Sequence, residues 1–387
     1  MRPTSPCILV AVLLAACGPV DTGSGSSAPF ADGGPVWSGG GAPDAPDAPD
    51  AGTPAPPDPG NPPAPSACDA IVPSSNPDAI SATVPHQGGD ACWYLTTDEQ
   101  GDIAAEAHSA NGPPRWELWS PSGSALGSRT ARFDFFGQRS GFEGTYVESG
   151  STFFARYAND GTELTRTLLG GPGCTGEAFL SAAGGAFVLG GCEKGPLTAT
   201  FFDNSGRPAA SKQIAPKRMS ASGVVDVKGA ALVIVWPGNA VGASGNAAGR
   251  WFDASLSPVT DWFSVPGNGE PPLLRPLTGG GAALQVGGTW VATIASGKSG
   301  WTAAPPWLAS RSGTDLAIVR QGRAYALIAK PGSSSPRNRL ELFTPEGEHC
   351  GAGTFRGDGL SLGPDGTVIA SSGEGGCQIT WWPAALR

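Results

Sequence analysis

The chain has 387 residues, with 59 glycines, 38 prolines and 12 tryptophans, and a net charge of −9. Its acidity is uneven. Thirteen acidic residues and no Lys or Arg fall between Arg2 and Arg115, whereas the remainder holds 23 basic and 20 acidic residues, so the body is close to neutral and offers nucleic acid no electrostatic footing.

At the N-terminus, Arg2 precedes the apolar run from Cys7 to Leu14, and small residues then lead into Cys17. The run is too short to span a bilayer and has the layout of an export signal. Leu14-Ala15-Ala16-Cys17 resembles the lipobox of bacterial lipoproteins. The resemblance implies that residues 1–16 are a signal peptide and that Cys17 begins the mature chain and carries lipid. Gly18, standing where Asp would retain such a protein in the inner membrane, implies an outer-membrane location in the cell envelope.

Residues 17–67 read as a disordered tether, with thirteen prolines and six aspartates from residue 18 onward. Asp44, Asp47 and Asp50 recur every three residues, which aligns them on one face of a polyproline II helix. Three isolated carboxylates make a poor cation cage, so a solvated spacer is the simpler reading.

From Cys68 to Arg387 the chain expects one all-β domain. Six cysteines lie there: Cys68, Cys92, Cys174, Cys192, Cys350 and Cys377. An even number in an exported chain favours disulfides. Fifteen pairings exist, and sequence order suggests Cys68–Cys92, Cys174–Cys192 and Cys350–Cys377. No C-x-x-C occurs and histidine is limited to His86, His108 and His349, so no zinc or other metal site is expected, and no cofactor.

Two hairpin types recur. One pairs an aromatic strand with a polar turn, as in Trp116–Leu126, Phe154–Leu164, Ala199–Ala209, Gly249–Val259 and Leu340–Cys350. Asp, Asn, Ser or Pro opens each turn and Gly usually closes it, as turn geometry demands. The fourth copy has Leu256 in place of Gly, which predicts a different loop. The other type has turns near Gly101, Ser149, Gly184, Gly229, Gly280, Gly322 and Gly366. Their spacing averages about 44 residues, the content of a four-stranded propeller blade. The pattern resembles bacterial β-propeller proteins and predicts about seven four-stranded blades, with a pair of β-sandwiches as the rival.

The last unit supplies only three strands before the chain ends. Ala79–Val84 alternates apolar and polar residues and belongs to no unit. It is predicted to become the outer strand of the last blade beside Gln378–Trp382, bringing Val84 near the C-terminal tryptophans.

Several motifs fail on context. Gly171–Gly176 fits G-x-G-x-x-G, but strand sequence follows where a helix is required. Gly297-Lys298-Ser299 lacks the first P-loop glycine. Gly359–Gly363 fits a nucleophile elbow, but no histidine follows Ser361. Asp98 and Glu99 would point to opposite faces of a strand, which suits solvation. Trp116, Trp119, Trp251, Trp381 and Trp382 suit packing between blades. No catalytic constellation emerges, and no ligand-binding residue can be named. The leading reading is a lipid-anchored envelope protein whose propeller binds a protein or glycan partner without catalysis. A propeller-type glycan hydrolase or lyase working at the channel mouth, and a structural envelope component, are the alternatives.

Overall fold

In the computed structural model the described residues are 36–38, 68, 79–84 and 92–387, excepting 108–114, 131–132, 138–140, 182–184, 218, 268–271, 320–321, 330–336, 357–358, 364, 373–376, 384 and 387. They fall within one compact unit, residues 34–387. The lipobox and most of the tether lie outside them.

Two strands come from the N-terminal part: β1 (Val36–Ser38) and β2 (Ile80–Val84). Blade 1 follows with β3 (Cys92–Thr97), β4 (Ile103–Ala107), β5 (Arg115–Trp119) and β6 (Ala125–Thr130). Blade 2 has β7 (Phe133–Gly137), β8 (Phe142–Glu148), β9 (Ser151–Tyr157) and β10 (Glu163–Gly170). Blade 3 has β11 (Cys174–Leu180), β12 (Ala186–Cys192), β13 (Leu197–Phe202) and β14 (Pro208–Ala215). Blade 4 has β15 (Ser220–Val225), β16 (Ala231–Trp236), β17 (Ala248–Phe252) and β18 (Phe263–Ser264). Blade 5 has β19 (Leu273–Pro276), β20 (Ala282–Val286), β21 (Thr289–Ile294) and β22 (Thr302–Ala303). Blade 6 has β23 (Thr314–Val319), β24 (Ala324–Ala329), β25 (Arg337–Phe343) and β26 (His349–Arg356). Blade 7 ends the chain with β27 (Gly359–Leu362), β28 (Val368–Ser372) and β29 (Cys377–Trp382).

Each blade is an antiparallel sheet in sequence order, and the first strands of successive blades meet at the centre, as β3 does with β7 and β27 with β3. The fold is a seven-bladed β-propeller, as the repeat spacing predicted. The final blade is completed by β2, in the order β2-β29-β28-β27. Ile80 lies opposite Trp381 and Val84 opposite Cys377. The orphan strand therefore closes the ring as expected, except that Ile80, not Val84, meets the tryptophan, because the pairing is antiparallel.

The core is divided into seven apolar clusters, one at each blade interface. This explains the continuous apolar runs of the second strands. In β16, Ala231, Val233 and Val235 pack toward blade 3, while Leu232 and Ile234 pack toward blade 5. A strand covered on both sides loses the polar alternation of a half-solvated one. The strand tryptophans sit in these interfaces, with Trp116, Trp251 and Trp381 fully buried.

Three expectations are corrected. In blade 2, Ser149 and Gly150 (φ 51° and 80°) form the tight turn between the second and third strands. The first hairpin of that blade turns before Phe142 instead, where Gly141 has φ 84°. Within the stretch read as tether, Val36–Ser38 adds to β26 as a fifth strand of blade 6.

The third correction concerns disulfides. Cys68 is bonded to Cys350 across a sequence separation of 282 residues. Neither Cys68–Cys92 nor Cys350–Cys377 can therefore form. Closing the ring brings the chain before β2 to the rim beside β26, which sequence order does not reveal. Cys174–Cys192 forms as predicted, the two residues lying directly opposite on β11 and β12. Cys92 and Cys377 open β3 and β29, and their side chains lie outside the described set.

Candidate functional site: the turn face of the ring

Antiparallel four-stranded blades give the ring two unlike faces. On one, the turn face, strands 1–2 and 3–4 of each blade are joined. On the other, the crossover face, strands 2–3 and successive blades are joined.

The turn face is built on a repeated five-residue turn. In its first position, a side-chain oxygen accepts the N–H groups two and four residues on. Asp98 does this for Gln100 and Asp102, Asp203 for Ser205 and Arg207, Asp226 for Lys228 and Ala230, and Asp253 for Ser255 and Ser257, all at 2.8–3.0 Å. The first residue's N–H donates to the fifth residue's carbonyl, and the fourth donates back to the first. The fourth position takes positive φ, as in Gly101, Gly206 and Gly229, which is why glycine dominates there. Leu256 corrects the expectation of a different loop: it adopts φ 61° and its N–H reaches the Asp253 carbonyl at 2.8 Å. Its fully buried side chain joins the cluster between blades 3 and 4. That burial offsets the left-handed strain of roughly 1–2 kcal/mol.

Two of these aspartates also bind the next blade. Gly141 N–H donates to Asp98 Oδ2 at 2.9 Å, and Gly281 N–H to Asp226 Oδ2 at 3.0 Å. Gly281 is the fifth residue of the neighbouring blade's first turn, Leu277–Gly281, and Gly141 is the last residue before β8. A side chain on either would strike backbone, with Cβ 2.2 Å from Tyr157 O or 2.1 Å from Ile294 O. Asp and Gly together make an inter-blade latch, repeated at blades 1–2 and 4–5.

Electrostatics follow from these surroundings. Burial pushes the Asp98 carboxyl up to about 6, against the lowering effect of the Gly141 N–H. Asp102 is raised by burial, while the Asn159 amide bonded to it opposes the shift. Asp203 and Asp253 lie below the usual carboxylate range, chiefly through the hydroxyls of Ser205 and Ser255. These carboxylates are committed to shaping turns, not to solvation on a strand as expected for Asp98. Only Glu99 of that pair is exposed.

The two faces differ in charge. Among the described residues, the turn-face connections hold eleven acidic residues, from Asp98 to Asp365, against Arg207, Lys228, Lys298 and Arg323. The described crossover connections hold Glu193 against Lys194, Lys217 and Arg311. This polarity has no signature in the sequence, because only the topology sorts alternating loops onto opposite faces.

At the ring's centre, Arg275 of β19 binds Asp315 of β23 through two contacts, 2.7 and 3.0 Å. Glu177 of β11 is exposed. His349 is exposed at the start of β26 and meets the Phe343 ring edge-on; His86 and His108 lie outside the described residues. Ser361 sits in β27 with its hydroxyl donating to Leu95 O at 2.9 Å, so its segment is strand and not a nucleophile elbow. Strand β11 follows Gly171, and Lys298 lies in the connection between β21 and β22, so neither phosphate-binding motif leads into a helix. Among the described residues no group of three His, Cys, Asp or Glu is placed to hold a metal ion, and no helix is long and apolar enough to cross a membrane.

One buried carboxyl lies apart. Glu143 of β8 is fully buried, opposite Arg156 of β9, and neither of its oxygens meets a hydrogen-bond donor among the described residues. Burial pushes it up to about 8, with the Arg156 charge lowering and the Asp203 charge raising it.

No family model matches the chain, and no curated protein does. Solved structures resemble it in fold. TolB from Acinetobacter baumannii is 14% identical over 66% of this chain, with a TM-score of 0.41, and the chain spans 64% of that protein's length. The structure described as BBS1N in complex with ARL6DN is 14% identical over 82% of this chain and 100% of that one, with a TM-score of 0.44. A protein of unknown function from Bacteroides caccae is 13% identical over 62% of this chain and 89% of its own, with a TM-score of 0.38. At these identities the likeness concerns fold alone.

Proposed function

We propose that this chain is a cell-envelope protein, lipid-anchored through Cys17 and located at the outer membrane, whose propeller binds a protein partner through its turn face. The observation that carries the binding reading is the charge polarity of the ring. Of the eleven acidic residues in the described turns, Asp98, Asp102 and Asp226 are buried, and the other eight stand at the surface against four basic ones. Hydrogen bonds within the turns hold several of those carboxylates in place, so the negative face needs little ordering when a partner arrives. A partner with a cationic surface is the complement, and opposed potentials of this kind raise association rates and set specificity. The anchor reading rests on Leu14-Ala15-Ala16-Cys17. A glycan partner, a hydrolase or lyase, and a structural role are the competing readings. At the ring's centre, the two-point pairing with Arg275 favours binding over acid–base chemistry for Asp315.

The test places a photo-crosslinking residue at Glu99 or Glu346 on the turn face, and at Lys217 on the crossover face, in the exported protein. Protein adducts from the turn-face positions, weakened several-fold by raised salt, are expected. Adducts from Lys217 alone, or none at all, would overturn the reading. Separately, Cys17→Ala should abolish palmitate labelling and release the protein from the membrane fraction.

A further inference from the structure

The short strand β1 fixes where the N-terminal segment leaves the ring. Strand β26 runs from the turn face, where the turn Thr344–Glu348 precedes it, toward the crossover face. Strand β1 pairs with it antiparallel, Val36 opposite Thr354, Trp37 opposite Gly353 and Ser38 opposite Ala352. Residue 36 is therefore the crossover-face end of β1, where the chain enters the strand. Ser38 is the end of β1 nearer the turn face. There Cys68 is bonded to Cys350, near the start of the same β26. One strand thus holds the N-terminal segment twice, once by backbone pairing and once covalently.

We infer that Val36–Ser38 is a clasp that orients the propeller: it ties the segment leading to Cys17 onto the outer edge of blade 6, so that the crossover face looks toward the bilayer and the acidic turn face looks away. This rests on the anchor reading of Cys17. Chain length adds a second consequence. With the clasp seated, 19 residue steps separate Cys17 from the ring, a maximal reach of about 65 Å. Released, the ring would be held from Cys68, 51 steps on, at up to about 170 Å. Charge agrees with the orientation. The described crossover connections are slightly basic and the turn-face connections strongly acidic, and an anionic membrane surface attracts the first and repels the second. Unpaired outer strands are also sites of strand addition, which is the role β1 fills in cis.

The experiment compares bilayer proximity at the two faces. A donor fluorophore is attached at Lys217→Cys (crossover face) or Lys298→Cys (turn face), both exposed, in protein on vesicles holding an acceptor lipid. Two anchoring arms are run: the chain's own acylated N-terminus, and a hexahistidine tag replacing residues 1–17 on nickel-chelating lipid. The second arm reports on the clasp even if Cys17 is never acylated. Energy transfer from the Lys217→Cys label is expected to exceed that from Lys298→Cys at least twofold in both arms. The triple variant Val36→Gly, Trp37→Pro, Ser38→Gly should bring the two labels to within experimental error of each other. Equal or reversed transfer in the tagged wild type overturns the orientation. A preference that survives the triple variant overturns the clasp as its cause. Failure of the acylated arm alone overturns the anchor reading and leaves the clasp standing.

Discussion

The hydroxyls of Ser81 and Thr380 lie 2.9 Å apart across a sequence separation of 299 residues. They mark the seam where β2 joins β29, and Ile80 and Ala82 pack beside that seam into the cluster shared by blades 7 and 1. Closure through the two ends of the domain means that strain at the seam is felt by every blade. Deleting residues 79–84 should lower the melting temperature by more than 10 °C. The milder Ile80→Ala should cost about 2–3 kcal/mol, measured by denaturant titration. An unchanged midpoint in both would show that the ring does not depend on this strand.

Reduction should have a large effect. The Cys68–Cys350 bond spans a sequence separation of 282, and loop entropy alone assigns it a stabilisation on the order of 5 kcal/mol. Peptide mapping without reduction should recover Cys68 with Cys350 and Cys174 with Cys192. Cys350→Ser should lower the melting temperature by more than Cys192→Ser, whose bond spans 18 residues. The opposite order would mean that the N-terminal segment is not held to blade 6.

Glu143 gives a pH dependence with a definite sign. Its folded value, about 8, lies above the ordinary 4.5, so the folded state binds the proton more tightly than the unfolded one. Stability from this group is intact below about pH 4.5 and falls as pH rises through 8, a loss on the order of 5 kcal/mol at the alkaline end. Glu143→Gln should melt like the wild type at pH 4.5 and clearly above it at pH 9. A constant offset between the two at all pH values would contradict a neutral buried carboxyl.

Leu256 should show an inverted substitution order. Leu256→Ala removes buried surface and keeps the left-handed strain, whereas Leu256→Gly removes the side chain and the strain together. Both should destabilise, by roughly 2–4 kcal/mol for Ala, with Gly about 1 kcal/mol the better of the two. Chemical denaturation of the three proteins decides it; Ala equal to or better than Gly would mean that the turn relaxes.

The latches predict coupling between blades. Asp226→Ala leaves the Gly281 N–H buried without its acceptor, for a cost of about 1–3 kcal/mol. Asp203→Ala removes an equivalent turn cap whose hydrogen bonds, from Ser205 and Arg207, stay within its own turn, so its loss should be smaller. Equal losses would reduce the latch to an ordinary turn.

Much of the architecture was legible in the sequence because it is local. Turn chemistry acts within five residues, so Asp226-Val-Lys-Gly and its relatives announce hairpins wherever they occur, and their spacing counts the blades. Even ring closure could be read, since Ala79–Val84 was a strand without a unit and the last blade lacked one. What the sequence missed depends on who meets whom around the ring. The register of blade 2 shifted because Ser149-Gly150 and Gly141 are both good turns, and only packing chooses which joins which strands. Cys68 found Cys350 because closing a circle of blades makes remote segments neighbours. Leu256 keeps a glycine's conformation only because a core pocket between blades 3 and 4 receives its side chain. The acidic face, the buried Glu143 and the clasp of Val36–Ser38 on β26 have no local signature. They arise when alternating connections are sorted onto two faces and when one edge strand is left open to be covered.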